Sequence, residues 1–267
     1  MRRAFAAAAL CAAASCHSAK RAPTPVSEPP PRRPAAAIPV APDPAKVARQ
    51  KLDAARARRL RIVQAEQDPD PDTVAISADA QTCAADARRS WAAQFPEAAA
   101  ATDTGRAMQL IWAPGAEALY LEAVCTATWA RMQGFTPLIE RRDELVSAFE
   151  RVAQLAPGLD GAGADRELGA LYAALPSYAG GDLEEARRHL LDAVLGAPDD
   201  PRNHLVLART VAVKAQDRAL FREHLIAAAG SADPVAAAQA RALLQREDDL
   251  FGPAEAAQPI PGGPHHR

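Results

Sequence analysis

The chain has 267 residues, enough for one or two domains, and 49% of them are hydrophobic, so it is able to bury a core. Aromatic residues make up only 4%, which predicts helices packed closely through alanine rather than through clusters of rings. A formal net charge of −2 argues against a nucleic-acid-binding surface, which needs a clustered basic excess.

The chain begins with MRRAFAAAALCAAASC, which has the layout of a secretory signal: two arginines, a short apolar run and then small residues. No apolar run of about 18 residues follows it, so no transmembrane helix is expected. The residues before Cys16 resemble a bacterial lipobox, in which the cysteine becomes the lipidated first residue. We expect a lipoprotein signal peptide over residues 1–15, with an ordinary cleaved signal as the alternative. His17 is not an aspartate, which favours the periplasmic face of the outer membrane.

Residues 16–44 follow as the lipidated N-terminus and a proline-rich linker, with nine prolines between positions 23 and 44. Proline lacks a backbone donor, so this segment is expected to be extended, reaching on the order of 70 Å. It is typical of a stalk that holds a folded domain away from a membrane.

Residues 45–250 are predicted to form an all-α domain of stacked helical hairpins, and residues 251–267 a disordered tail. An arginine-rich helix to about residue 67 comes first, ended by DPDPD. Asp200-Pro201 and Asp233-Pro234 each place an acid at an N-cap and a proline at the first helical position. The further helices are predicted over 78–95, 105–112, 114–133, 138–155, 165–175, 183–195, 201–216, 218–229 and 234–246.

A repeated spacing indicates how these helices pair. Three apolar residues and a proline recur 41 positions later with the same intervals, and each set lines one face of a second helix. The two sets are Leu145, Phe149, Val152, Pro157 and Ala186, Leu190, Ala193, Pro198. The pattern resembles a stretched tetratricopeptide (TPR) repeat, whose usual period is about 34 residues.

The extra length lies in the stretch AALPSYAGGDLEEA, which raises the question of a phosphate-binding loop. No strand precedes it and no GK[ST] ending follows, so we interpret it as a hairpin turn. Gly180 and Gly181 permit the turn, Asp182 caps the next helix, and Glu185 completes a variant of the capping box. Tyr178 is a candidate for an exposed aromatic lip.

Residues 117–244 resemble the TatT component family, bacterial lipoproteins associated with tripartite ATP-independent periplasmic (TRAP) transporters. The resemblance is most specific at the Asp160-Gly161 turn, at Leu168-Gly169 with Tyr172, in the hairpin from Pro176 to Leu183, and at Asn203. It implies a bundle of degenerate TPR-like hairpins. It also implies a periplasmic accessory that engages a solute-binding protein or passes a small organic ligand. Three features depart from the family pattern: the linker, the arginine-rich first helix and the turn DGAGADRE. In that turn only Arg166 fits the expected His-Arg pair.

Five residues are candidates for ligand or partner binding. Arg166, Tyr172 and Asn203 are expected on the inner surface of the hairpin stack, although Asn203 would alternatively support the Asp200 cap and Tyr172 would be plain core. Glu122 lies in an apolar helix, and we favour an exposed edge over a groove for it. The fifth candidate is Tyr178.

Cysteine and histidine leave two questions. Cys83 and Cys125 would form a disulfide in an oxidising periplasm, or pack as two buried thiols. His189, His204 and His224 lie on three predicted helices and are expected to be surface or satisfied residues rather than a metal site. No cofactor is expected.

The sequence contains no pattern typical of a nucleophile or of a paired acid and base, so we predict a binding protein rather than an enzyme. The expected function is that of a lipid-anchored accessory of a TRAP-type transport system, with a homo-oligomer as one arrangement. The alternative is a general TPR-like lipoprotein scaffold for protein–protein interactions in the envelope, and fold does not separate the two.

Overall fold

In the computed structural model of the chain, residues 43–252 are described, and every regular element among them is helical. The all-α prediction is therefore confirmed. The predicted signal peptide, Cys16, the linker up to residue 42 and the tail from residue 253 lie outside the described residues.

Thirteen α-helices follow one another in the described part of the chain. They are α1 (Pro44–Ala65), α2 (Thr73–Gln94), α3 (Pro96–Ala100), α4 (Thr104–Leu110), α5 (Ala116–Gln133), α6 (Phe135–Glu140), α7 (Arg142–Leu155), α8 (Gly163–Ala174), α9 (Leu183–Gly196), α10 (Pro201–Leu207), α11 (Arg218–Ala229), α12 (Pro234–Gln245) and α13 (Glu247–Phe251).

Aspartate caps determine where many of these helices begin. The carboxylates of seven aspartates accept hydrogen bonds from the first free backbone N–H groups of α1, α2, α4, α9, α10, α11 and α12. The predicted starts at Pro201 and Pro234 are confirmed. α2 begins at Thr73, earlier than predicted, because Asp72 caps it through Val74 and Ala75.

Two predicted helices are interrupted. The helix expected over 138–155 is two helices, α6 and α7, that meet at Arg141. After α10, the segment Ala208–Ala212 widens into a π-helix, a local form that periodicity does not reveal. The short helices α3 and α13 were not predicted.

The helices bury two apolar clusters, and α8 contributes to both. The first cluster runs from α1 to α8 and contains Trp91, Phe149 and Leu168. The second runs from α8 to α12 and contains Ala173 and Phe221. The repeated apolar positions in α7 and α9 are all buried.

Neighbouring helices pack antiparallel and closely. Ser90 at the end of α2 donates to the carbonyl of Ala48 at the start of α1. A Cβ atom at Gly169 in α8 would lie 2.4 Å from the side chain of Leu190 in α9, so only glycine permits this approach. Small residues therefore set the spacing between α8 and α9.

Candidate functional site

A groove between α2, α4, α5 and α7 is the best candidate for a binding site. It consists of two adjoining cavities of about 310 and 400 Å³. Five residues line both cavities, and four of them are charged. They are Arg88, Glu122, Thr126, Arg141 and Glu144.

Glu122 lies in the wall of this groove and is only 8% exposed. The favoured expectation of an exposed edge is therefore wrong, because α5 is packed between α2 and α7 and has few exposed positions. One carboxylate oxygen accepts a hydrogen bond from the indole N–H of Trp91, and the other accepts from Arg88 at 3.2 Å. Burial raises the pKa of Glu122, although the Trp91 hydrogen bond and the charge of Arg88 oppose this, and the charge of Glu144 adds to it.

The opposite wall carries a second ion pair. Arg141, at the junction between α6 and α7, donates to Glu144 at 2.8 Å. The floor between the pairs is apolar and includes Met108, Leu119 and Leu145. Arg88, Trp91, Arg141 and Glu144 are not among the candidates that the sequence indicates. Two spacings in the sequence could have indicated these residues. Arg88 and Trp91 are one turn apart in α2. Glu122, Thr126 and Trp129 lie on one face of α5.

A separate network holds the turn before α8. Asp160 accepts hydrogen bonds from Tyr120 at 2.6 Å, from Arg166 at 2.8 Å and from Arg202 at 2.8 Å. Burial, which raises the pKa of Asp160, is outweighed by the charge of Arg166, the Tyr120 hydrogen bond and the charge of Arg202, so this pKa lies below its usual range. Asp160 and Gly161 both have positive φ, of 51° and 63°. The chain therefore turns with left-handed backbone angles at the two residues where the family resemblance is most specific.

Arg166 and Asn203 meet within this network, with the guanidinium donating to the amide oxygen at 3.0 Å. Both are buried, so they do not line an inner surface as expected. The Asn203 amide donates to the carbonyls of Gly161, Ala193 and Ala197. Its side chain therefore provides hydrogen bonds to backbone carbonyls at the end of α9 rather than supporting the Asp200 cap. Arg166 and Asn203 thus have a structural role.

The turn between α8 and α9 uses its glycines as predicted. Gly180 has φ +82°, and a Cβ atom at Gly181 would lie 1.9 Å from the carbonyl oxygen of Leu175. Asp182 caps α9 through Glu184 and Glu185. Only half of the capping box forms, because the Glu185 carboxylate does not accept from the Asp182 N–H. That N–H donates to the backbone carbonyl of Tyr172, and the Glu185 carboxylate accepts from Arg188.

The two tyrosines near this turn differ in exposure. Tyr178 is 86% exposed, so an aromatic side chain does project there. The half-buried ring of Tyr172 stacks on His189 with centroids 5.8 Å apart, and the Arg142 guanidinium lies 5.7 Å from its centroid. Tyr172 thus packs between helices. Neither tyrosine lies in the groove.

The three histidines do not converge. His204 and His224 face each other with Nδ1 atoms 2.9 Å apart, whereas His189 contacts Asp165 at 2.9 Å. Asp165, His189 and Asp192 have potential ligand atoms within 4.8 Å of one another. Arg188 contacts both His189, at 2.9 Å, and Asp192, at 3.6 Å, and supplies a positive charge to that cluster.

Cys83 in α2 and Cys125 in α5 have sulfur atoms 2.05 Å apart, the distance of a covalent bond. The structure thus contains the disulfide form of this pair. Both residues are fully buried, and neither lines the groove.

The family model described as TRAP transporter T-component matches residues 43–251. The chain belongs to this T-component family. Its members are accessory components of TRAP transporters rather than a known class of enzymes, so the chain has an accessory role in such a system.

The T-component match covers more of the chain than the resemblance over residues 117–244 indicated. It begins before α1, so the arginine-rich helix is part of the family domain, and its description as an extra element is wrong. A search of proteins with curated descriptions finds no match. Between residues 43 and 252, none of the helices combines the length and the hydropathy needed to span a bilayer.

Proposed function

We propose that this T-component protein is a lipid-anchored periplasmic accessory that binds the solute-binding protein of a TRAP transport system and holds a small organic ligand in its groove. The family match carries the proposal. The groove adds a second support, since cavities of roughly 300–1,000 Å³ are typical of small-molecule sites. The buried repeat positions of α7 and α9 are consistent with TPR-like hairpins presenting this groove.

The partner is tested by photo-crosslinking of the full chain in its own cells. Benzoylphenylalanine at Gln81, an exposed residue lining the larger cavity, is expected to capture a TRAP solute-binding protein. The control position is Ile226, which is 64% exposed on α11, outside the groove. Capture only of unrelated envelope proteins at Gln81 would instead support the scaffold function. Equal capture at both positions would contradict the groove as the contact surface.

The anchor is tested separately by Cys16→Ser in the full chain. The unchanged protein is expected in the membrane fraction with a lipid-modified N-terminal peptide by mass spectrometry. The variant is expected to lose the lipid and leave the membrane fraction. Membrane association unchanged by the substitution would contradict the lipid anchor.

A further inference from the structure

The charges of the groove are balanced. Its charged lining residues are two arginines, Arg88 and Arg141, and two glutamates, Glu122 and Glu144. They form two ion pairs, with closest contacts of 3.2 Å and 2.8 Å. A ligand with one net charge would leave that charge unmatched in a partly desolvated space, which is costly. The lining therefore favours a ligand that carries separated charges and no net charge.

Both ion pairs retain hydrogen-bonding capacity. A guanidinium has five N–H donors, yet among the described residues Arg88 and Arg141 each donate one hydrogen bond. The Glu122 oxygens accept one hydrogen bond each, and a carboxylate oxygen has room for two. The groove therefore offers cationic donors and anionic acceptors at once, above an apolar floor.

The position of Glu122 discriminates between ligand charges. Its carboxylate is almost fully buried, whereas the side chains of Arg88 and Arg141 are about half exposed at the rim. An organic anion would reach the arginines but would also face the two carboxylates. An ammonium group placed near Glu122 and Glu144 would relieve the repulsion between them.

We propose that the groove binds the zwitterion of an apolar amino acid. The ammonium group would lie between Glu122 and Glu144, the carboxylate on Arg88 and Arg141, and the side chain on the apolar floor near Met108. The proposal rests on the ligand-binding part of the proposed function and specifies the class of ligand. It involves binding only, with no covalent step.

The test is calorimetric titration of the purified, extensively dialysed full chain with leucine, isoleucine, valine, methionine, phenylalanine and tryptophan. Each amino acid is compared with its N-acetyl derivative, which keeps the carboxylate and the side chain but lacks the ammonium group. At least one amino acid is expected to bind with Kd of about 1 mM or tighter. Its N-acetyl derivative is expected to bind at least about tenfold more weakly, because it loses a charge-assisted contact. Binding of none of the six, or equal binding of the derivative, would overturn the proposal.

Matched variants locate the site. Glu122→Gln keeps an acceptor for Trp91 but removes the negative charge, and it is expected to weaken amino-acid binding at least about tenfold. Glu150→Gln, at an exposed position of α7 outside the groove lining, is expected to change nothing. Unchanged binding by Glu122→Gln would overturn the proposal. If that variant fails to fold, Glu144→Gln on the more exposed wall gives the same test.

The result of the amino-acid titrations can be distinguished from the result of the crosslinking test of the proposed function. Crosslinking at Gln81 reports the protein partner and needs no added amino acid. Failure of all six titrations together with capture of the solute-binding protein would reject the zwitterion while leaving the accessory role intact. A missing crosslink together with amino-acid binding would reject the groove as the contact surface for the solute-binding protein while leaving the zwitterion intact.

Discussion

At the scale of single residues, Asp160 is a carboxylate outside the groove on which several side chains converge. Three donors reach it from three different parts of the chain, namely Tyr120, Arg166 and Arg202. Asparagine tolerates the positive φ of this position, so Asp160→Asn removes the charge without forcing the backbone. We expect the variant to lose about 2 kcal/mol of unfolding free energy, because Arg166 and Arg202 each lose one of their two anionic partners and keep only Asp200.

Urea unfolding followed by circular dichroism measures this loss. Asp143→Asn is the control, since that side chain is 90% exposed and pairs only with the neighbouring Arg142. Equal midpoints for the two variants would show that the network around Asp160 contributes little to stability.

The facing histidines predict a pH dependence. The Nε2 atom of His204 lies 2.9 Å from the carbonyl of Pro198, which only accepts, so His204 carries its proton there. Its Nδ1 atom then accepts from Nδ1–H of His224. Burial lowers the pKa of His224 below its ordinary 6.5, the charge of His204 lowers it further, and Glu223 opposes the shift.

A lowered folded-state pKa means that the unfolded chain binds a proton first as the pH falls. Stability from this pair is therefore fully present above about pH 6.5 and decreases as the pH falls from there towards the folded-state pKa. Urea midpoints measured between about pH 7.5 and about pH 5 should show the decrease. His224→Gln is expected to flatten it. An identical pH profile for the variant would contradict the assignment.

At the scale of elements, the turn between α8 and α9 leaves no room for a side chain at Gly181. Gly181→Ala would place a Cβ atom 1.9 Å from the carbonyl oxygen of Leu175, so the turn must shift. We expect a loss of about 2 kcal/mol in unfolding free energy. Gly158→Ala is the matched control, because nothing lies within 4 Å of a Cβ atom there and its φ is not positive. A stability loss no larger than that of the control would contradict the close contact.

The sequence predicts helices well where a local signal determines them. Asp200-Pro201 and Asp233-Pro234 begin α10 and α12 because cap and proline act within one turn. The break at Arg141 carries no proline or glycine, so it depends on packing and was missed. Glu122 was misplaced for the same reason, since its burial depends on α2, which is distant in sequence. The groove lies between four helices, so its residues form a site only when α2, α4, α5 and α7 are placed together.

At the scale of the whole described domain, two apolar clusters share α8. The Cys83–Cys125 bond lies within the first cluster and links residues 42 positions apart. In the loop-entropy model, closing a loop of this length stabilises the domain by about 4 kcal/mol. Reduction is therefore expected to lower the unfolding free energy by about that amount.

Intact mass spectrometry with and without reductant tests the bond, because the oxidised protein lacks the two thiol hydrogens. A Cys83→Ser/Cys125→Ser double variant is the control, and its stability should not respond to reductant. A fully reduced pair in protein isolated from the cell envelope would support the alternative of two buried thiols.

The position of this bond has a mechanical consequence for the groove. Cys83 and Cys125 belong to α2 and α5, which also carry Arg88 and Glu122. While the bond is intact, it restrains the distance between these two helices. The opposite wall of the groove is formed by α7, which starts directly after the break at Arg141. The spacing of the two helices that hold the Arg88–Glu122 ion pair therefore depends on one covalent bond that reduction would remove.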